Sequence, residues 1–431
     1  MQLQVSEEDR RFQQEVRTFL SENLDPHLSR KVKLGYPISK EEQDGWTRTL
    51  NTRGWAAPNW PVEVGGPGWT MLRRHLFDIE MKMHHAPELQ GFGFSMVGPA
   101  IIKYGTQQQQ NYYLPMILNA DISWCQGYSE PQAGSDLASV RTRAVVDGDE
   151  YVVSGSKIWT SAAERADHIF MLVRTDTEAK PQLGITFLLM EMNDPGITVK
   201  PLLAFNGKRL WNQVFFDQVR VPRANRLGEE NRGWSVAKNL LGNERLLVSR
   251  VAESRRMLSN IMSALSEDPQ KAAFRESLAA LVIRLEALDA TALRLLTKFD
   301  KGHEIGAEPS MLKLKGSQLV QDMDRMLYEI VGYLALPQDS TMREGGPAGA
   351  EIAEAVTGVE QLKATYLYKL LLGRLDVNPL GNEAEANALA ILLLDTEDKG
   401  KKISIRTFID KLGALQTDGK VKEEMKNLQT W

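Results

Sequence analysis

The chain has 431 residues, enough for two or three packed units. Its 52 Lys and Arg nearly balance its 56 Asp and Glu, which argues against a protein organised around nucleic acid or an anionic membrane surface. A single cysteine, Cys125, excludes an intrachain disulfide and fits a reducing compartment, and six scattered histidines do not suggest a structural zinc site.

The N-terminus, "MQLQVSEEDRRFQQEV", has no basic start followed by an apolar run. No apolar stretch approaches the ~20 residues of a membrane span. The expected location is therefore cytoplasmic. "EEDRRFQQEVRTFLSENL" (7–24) places Phe12, Val16, Phe19 and Leu20 at helical spacing, so the chain opens on an amphipathic helix. "APNWPVEVGGPGWT" (57–70) interrupts the pattern with three prolines and three glycines and reads as a loop. Helical patterning returns from about Met71 to Ala120. "GFGFS" (91–95) lacks the third glycine and the preceding strand of a dinucleotide fingerprint, so its aromatics face the core or a pocket.

From about 121 to 222 the pattern is β. "AVVDGDEYVVSG" (144–155) has two β-rich runs around Asp147-Gly148, a hairpin signal. "HIFMLVRT" (168–175), "ITFLLMEM" (185–192) and "VFFDQVRV" (214–221) are further strands. This predicts a mostly antiparallel β unit with long polar turns. From Gly233 to about Leu372 the chain is helical again, and "VAKNLLGNERLLVSRVAESRRMLSNIMSAL" reads as one long helix. "NALAILLLDTEDKGKKISIRTFIDKL" could hold two short helices.

Three stretches could carry chemistry. In "SEPQAGSD" (129–136), Ser129, Gly134 and Ser135 could present hydroxyls and N–H groups to an anionic cofactor, or form a turn and nothing more. In "SKIWTSAAE" (156–164), Trp159 could stack on a flat ring or fill the core. On the long helix, Glu244 falls within the apolar stripe, with Leu240, Leu241, Leu247 and Val248 at i±3 and i±4. Burial there would raise its pKa and suit it as a general base for a weakly acidic C–H. A buried ion pair with an arginine, or a stripe edge open to water, would explain it equally.

Six motifs in order, "WPVEVGGPGW", "CQGYSEPQAGSD", "YVVSGSKIWTS", "NQVFFDQVRVP", "GEENRGW" and "NERLLVSR", resemble the acyl-CoA dehydrogenase family from the N-terminus to about residue 335. The resemblance implies an α+β fold: an N-terminal helical domain (1–120), a middle antiparallel β domain (121–228) and a C-terminal four-helix bundle (229–375). The tail, 376–431, is atypical. It implies FAD as cofactor, with Gln126, Tyr128, Ser129, Ser135, Trp159 and Ser161 around the flavin. Ser135 and Arg245 would also meet the acyl-CoA. Many members carry the catalytic glutamate late, in a segment like Tyr-Gly-Gly-Thr-x-Glu. Here "KATYLYK" (363–369) stands in that place. Isovaleryl-CoA dehydrogenase-like members carry it on the long helix, where "NERLL" matches, and this points to Glu244. The implied reaction is α,β-dehydrogenation of an acyl-CoA to the trans-2-enoyl-CoA, with an electron-transfer flavoprotein as acceptor. A homodimer or homotetramer is the implied assembly. The missing late glutamate leaves open a non-catalytic or half-site subunit of a hetero-oligomeric acyl-CoA dehydrogenase, and an acyl-CoA oxidase-like flavoenzyme is a further alternative.

Overall fold

The computed structural model describes residues 6–331, apart from residues 90, 205–208, 244–248, 267–270, 304–305 and 307. Two compact units are distinguished. Met1–Lys33, Pro37–Asn260 and Ala273–Met323 form the first. Leu34–Tyr36, Ile261–Ala272 and Asp324–Trp431 form the second. The expected short helices near the end, the 363–369 segment and the tail 376–431 lie outside the described residues. Among the described residues no helix is long and apolar enough to cross a membrane.

Helix α1 (Glu7–Asn23) begins where the Ser6 hydroxyl accepts the Asp9 N–H, and three acidic residues in its first turn suit the helix dipole. Phe12, Val16, Phe19 and Leu20 are buried along it, as their spacing implies. α2 (Pro26–Leu34) follows. Helix α3 (Lys40–Asn51) starts on a reciprocal Ser39–Glu42 capping box. The Pro/Gly-rich loop then leads into α4 (Met71–Met83). In that loop Trp60 is fully buried, and its Nε1 donates to the Phe94 carbonyl at 2.8 Å. A Cβ at Gly98 would come within 2.2 Å of the Trp60 ring, so only glycine allows this approach. The contact fixes a π-helical stretch, Phe92–Val97, ahead of α5 (Gly98–Tyr104) and α6 (Gln107–Leu118). The helical pattern expected from Met71 to Ala120 is thus divided: α4 ends at Met83 with His84 as its cap, His85 is left-handed (φ 54°), and Pro87 cannot continue a helix.

The β unit contains β1 (Trp124–Gly127), β2 (Arg143–Asp147), β3 (Glu150–Thr160), β4 (His168–Arg174), β5 (Ile185–Glu191), β6 (Ile197–Leu203) and β7 (Arg209–Pro222). Gly148 (φ 61°) turns the β2–β3 hairpin. The sheet runs β1-β4-β2-β3-β7-β6, with β5 on β4. It is mixed in part, since β1 lies parallel to β4. β4 and β5 are apolar without alternation because both faces are covered. Phe170, Leu172, Phe187 and Leu189 face the core shared with the N-terminal helices, whereas Ile169, Met171, Val173, Leu188 and Met190 face a second core. Cys125 is buried in that second core, and burial pushes its thiol well above the ordinary range, as expected of a packing residue.

Helix α7 (Gly233–Asn243) starts against β5; a Cβ on Gly233 would lie 2.5 Å from the Phe187 nitrogen. The one long helix read from the sequence is two. Among the described residues α7 is Gly233–Asn243 and α8 is Val251–Ser266, and Arg250 immediately before α8 is left-handed (φ 54°). A left-handed residue cannot continue an α-helix, and continuous apolar spacing does not reveal one. Then come α9 (Arg275–Asp300) and α10 (Glu308–Val331).

Two contacts join α4 to α9, one near the surface and one buried. Asp300 accepts the Met71 and Leu72 N–H groups at the start of α4, and His75 Nε2 donates to Asp289 Oδ1 at 3.0 Å. Arg255 of α8 pairs with the other Asp289 oxygen. Burial works against the Asp289 charge, but the hydrogen bonds from His75 and Arg255 hold its carboxyl below the usual range. A lowered carboxyl contributes stability above its unfolded pKa and loses it as pH falls through the folded value. Asp289→Asn should therefore lower the unfolding temperature at neutral pH, with the gap to the unmodified protein closing as the pH falls below the ordinary Asp range. A gap constant across thermal scans over that range would contradict this.

Candidate functional site

Two sequence-distant segments form one wall of the β unit. The first is the end of β1 and the turn after it, 126–136. The second is the end of β3 and the turn after it, 157–161. Ile158 N–H donates to the Ser129 carbonyl at 2.9 Å, locking the two side by side.

Beneath this contact lies a buried ion pair that the sequence reading missed. Lys157 is fully buried and Glu130 is 4% exposed; Lys157 Nζ donates to Glu130 Oε1 at 2.7 Å and to the Tyr128 carbonyl at 3.2 Å. Arg141 N–H and Gln132 Nε2 donate to Glu130 Oε2, and Thr142 N–H to Oε1. Burial opposes ionisation of Glu130, yet the Lys157 charge and these hydrogen bonds hold its carboxyl below the usual range. Burial brings Lys157 down to about 8, against the pull of Glu130, so the ammonium is charged at neutral pH. Lys157 thus ties the start of the turn to β3, and Glu130 ties it to the chain that follows at Arg141 and Thr142. A signal existed: Lys157 shares the inward phase of Tyr151 and Val153 on β3. A charge at such a position needs a buried partner.

Opposite β7, β3 carries a bulge. Lys157 pairs with Val214 and Thr160 with Asn212, so Ile158 and Trp159 together oppose Gln213 alone. Trp159 takes the left-handed conformation (φ 60°) within it. This turns the indole outward: Trp159 is 57% exposed and meets Trp211 edge-on at 5.8 Å. Of the two readings left open for Trp159, core filler is excluded. Such backbone strain is kept where the surroundings enforce it, and it marks a position worth testing for function.

The other expected site residues divide. Gln126 is on β1, with its Nε2 buried and without a hydrogen-bond partner among the described residues. The Thr160 hydroxyl beside Trp159 is in the same condition. Ser129 and Ser161 are half-buried, and Ser135 is exposed. Tyr128 departs from expectation: its ring is buried edge-on against Phe170 and Phe187, so it contributes its carbonyl to the wall and its side chain to the core. Glu244 and Arg245 lie outside the described residues. In "GFGFS" the aromatics divide too, since Phe94 is buried in the core and Phe92 lines a cavity of about 440 Å³ bordered by Lys40, Trp124 and Ala162.

A wall with an exposed indole, half-buried hydroxyls, and a buried amide and hydroxyl lacking partners suits a planar ligand with hydrogen-bonding edges. A flavin meets that description, and these donors fit it.

Family models match nearly the whole described chain: "Acyl-CoA dehydrogenase, N-terminal domain" over residues 6–121, the middle domain over 125–219 and the C-terminal domain over 231–364. "Acyl-CoA dehydrogenase IpdE1" of Mycobacterium tuberculosis is 33% identical over 334 residues, covering 74% of this chain and 85% of the relative. Among solved structures, "Tcur3481-Tcur3483 steroid ACAD" superposes with a TM-score of 0.71 at 27% identity, covering 94% of this chain and 100% of the other. The ChsE4-ChsE5 complex from Mycobacterium tuberculosis gives 0.69 at 27% identity, with 94% and 100% covered.

Proposed function

The chain belongs to the acyl-CoA dehydrogenase family, and from that premise we propose that it oxidises an acyl-CoA thioester to the trans-2-enoyl-CoA with Glu244 as the α-proton base. FAD-linked acyl-CoA oxidation is the family's activity. The observation that carries the reading for this chain is the wall itself: buried Gln126 Nε2 and Thr160 Oγ1 without hydrogen-bond partners among the described residues, and an outward-turned Trp159 next to Thr160.

Bound FAD supplies the acceptor for the hydride leaving the β-carbon. The chain's residues do the rest. Gln126, Ser129 and Ser161 would hold the ring's polar edge, and Trp159 would cover its face. Ser135 and Arg245 would meet the thioester arm and the CoA. Glu244 would remove the α-proton from a carbon acidified by the polarised thioester. The helical segment around residues 91–102 would shape the acyl end. Electrons would pass on to an electron-transfer flavoprotein. An acyl-CoA oxidase instead releases peroxide, and assaying peroxide during turnover in air separates the two.

Trp159→Ala tests the flavin assignment. It should shift the flavin absorbance spectrum and weaken FAD retention through gel filtration. An unchanged spectrum with full retention would move Trp159 out of the site.

A second reading concerns the assembly. Two similar structures are named as pairs of chains. With no Tyr-Gly-Gly-Thr-x-Glu segment in "VEQLKATYLYKLLLG" (359–373), the names support a hetero-oligomer in which a second chain completes the flavin site. The chain expressed alone decides. A yellow protein with a full complement of FAD supports self-sufficient sites, and a colourless one supports the shared site. One of those structures is named for a steroid enzyme, so a steroid-acyl thioester belongs in a thermal-shift panel of acyl-CoAs.

A further inference from the structure

Strand β7 carries a polar residue where its pattern calls for an apolar one. Asn212 shares the inward phase of Val214 and Phe216, both in the second core, and is itself buried. An amide is kept at such a position when it is hydrogen-bonded. Asn212 Nδ2 donates to the Thr160 carbonyl at 3.0 Å and to Glu164 Oε2 at 2.5 Å. Both partners are acceptors, so the amide has to present both of its N–H groups to them. Asn212 Oδ1 has no partner among the described residues, so the N–H side carries the whole tie.

That tie closes a strained turn. Trp159 (φ 60°) and Ala162 (φ 61°) are both left-handed, and neither is a glycine. Such conformations persist only where the surroundings enforce them. Asn212 grips the chain at Thr160, between the two, and at Glu164, beyond the second. Its main chain also pairs with Thr160, where the ladder resumes after the bulge. The preceding residue, Trp211, is exposed and meets the Trp159 ring edge-on. Successive strand residues point to opposite faces, so β7 braces the bulge on both. Trp211 stands outside against the indole, and Asn212 stands inside against the main chain.

We propose that Asn212 is a positioning residue of the flavin wall: by holding the Thr160–Glu164 turn it keeps Trp159 outward, over the ring. It acts through the turn rather than by touching the cofactor. The inference rests on the assignment of Trp159 to the flavin.

The test compares Asn212→Leu, which removes both N–H groups at nearly constant volume, with Trp159→Ala and with the double variant, all in the full-length chain. Asn212→Leu should weaken FAD binding about tenfold or more, the scale of losing two hydrogen bonds of which one is to a charged group. The absorbance of the flavin that stays bound should shift in the same direction as in Trp159→Ala. Because Asn212 acts through Trp159, the two losses should not add. A second readout needs no cofactor. In fluorine NMR of the FAD-free chain grown with fluorotryptophan, the Trp159 resonance is identified by its absence from Trp159→Ala, and it should move in Asn212→Leu. If Asn212→Leu does not fold, Glu164→Ala frees the far end of the turn from an exposed position and should give a smaller effect of the same kind. Glu164→Gln keeps an acceptor oxygen and should behave as the unmodified chain. Three results would overturn the proposal: a Trp159 resonance that stays in place, additive losses of FAD affinity, or lowered stability with the bound-flavin spectrum unchanged. The two readings fail separately. A resonance that moves, with FAD binding indifferent to both single variants, defeats the flavin assignment while showing that Asn212 holds Trp159. A resonance that stays, with FAD released by Trp159→Ala, defeats only the role of Asn212.

Discussion

Replacing Glu244 with Gln is expected to slow bleaching of the flavin by acyl-CoA at least roughly a hundredfold, the usual scale for losing a general base. Gln keeps the shape and volume of Glu but has no basic oxygen. The fold should persist, because a neutral amide is easier to bury than a carboxylate. FAD should stay bound, because its assigned contacts are on β1, β3 and the turns after them. Acyl-CoA should bind as well. Rapid anaerobic mixing of each protein with a substrate that bleaches the unmodified one gives the comparison. A rate within a few-fold of the original would make Glu244 structural and turn attention to the carboxylates near 351–360, beginning with Glu360.

The second large effect should come from Lys157. Lys157→Met leaves the Glu130 carboxylate buried with only its neutral donors, and breaking a buried pair from one side costs about 3–5 kcal/mol. Because Lys157 also holds the Tyr128 carbonyl, the 126–136 turn should loosen from β3 and FAD should be released faster. The double variant Glu130→Gln/Lys157→Met removes both charges and should recover much of the lost stability. Denaturant unfolding and FAD release by fluorescence are the readouts. A single variant within about 1 kcal/mol of the unmodified protein would show the pair to be incidental, as most exposed pairs are.

Much of the fold was legible because burial writes a period into the sequence. Phe12, Val16, Phe19 and Leu20 mark the inner face of α1, and Asp147-Gly148 marks a hairpin. The unbroken apolar runs of β4 and β5 signal strands covered on both faces. What stayed hidden depends on a single residue or on a distant partner. The bulge at Ile158 and Trp159 adds one residue to a strand whose side chains look ordinary, yet it decides that Trp159 faces outward. The break before α8 turns on Arg250, a residue type with no preference for the left-handed region. Glu130 and Lys157 lie 27 residues apart, so no local pattern joins them, although a lysine on the apolar phase of β3 called for a partner. The guanidinium of Arg174 meets only main-chain carbonyls, which carry no sequence signature. The site residues that could be named in advance came from ordered motifs. Geometry then sorted them, sending the Tyr128 ring into the core and turning Trp159 outward.

The most direct test of the account is anaerobic mixing of the purified, FAD-loaded chain with a panel of acyl-CoA thioesters of graded length, branching and ring content. Flavin absorbance and the mass of the recovered thioester are followed together. At least one member should bleach the flavin and be recovered lacking two hydrogens, as the 2-enoyl-CoA. A chain that holds FAD, binds the thioesters and leaves both flavin and thioester unchanged across the panel would contradict it.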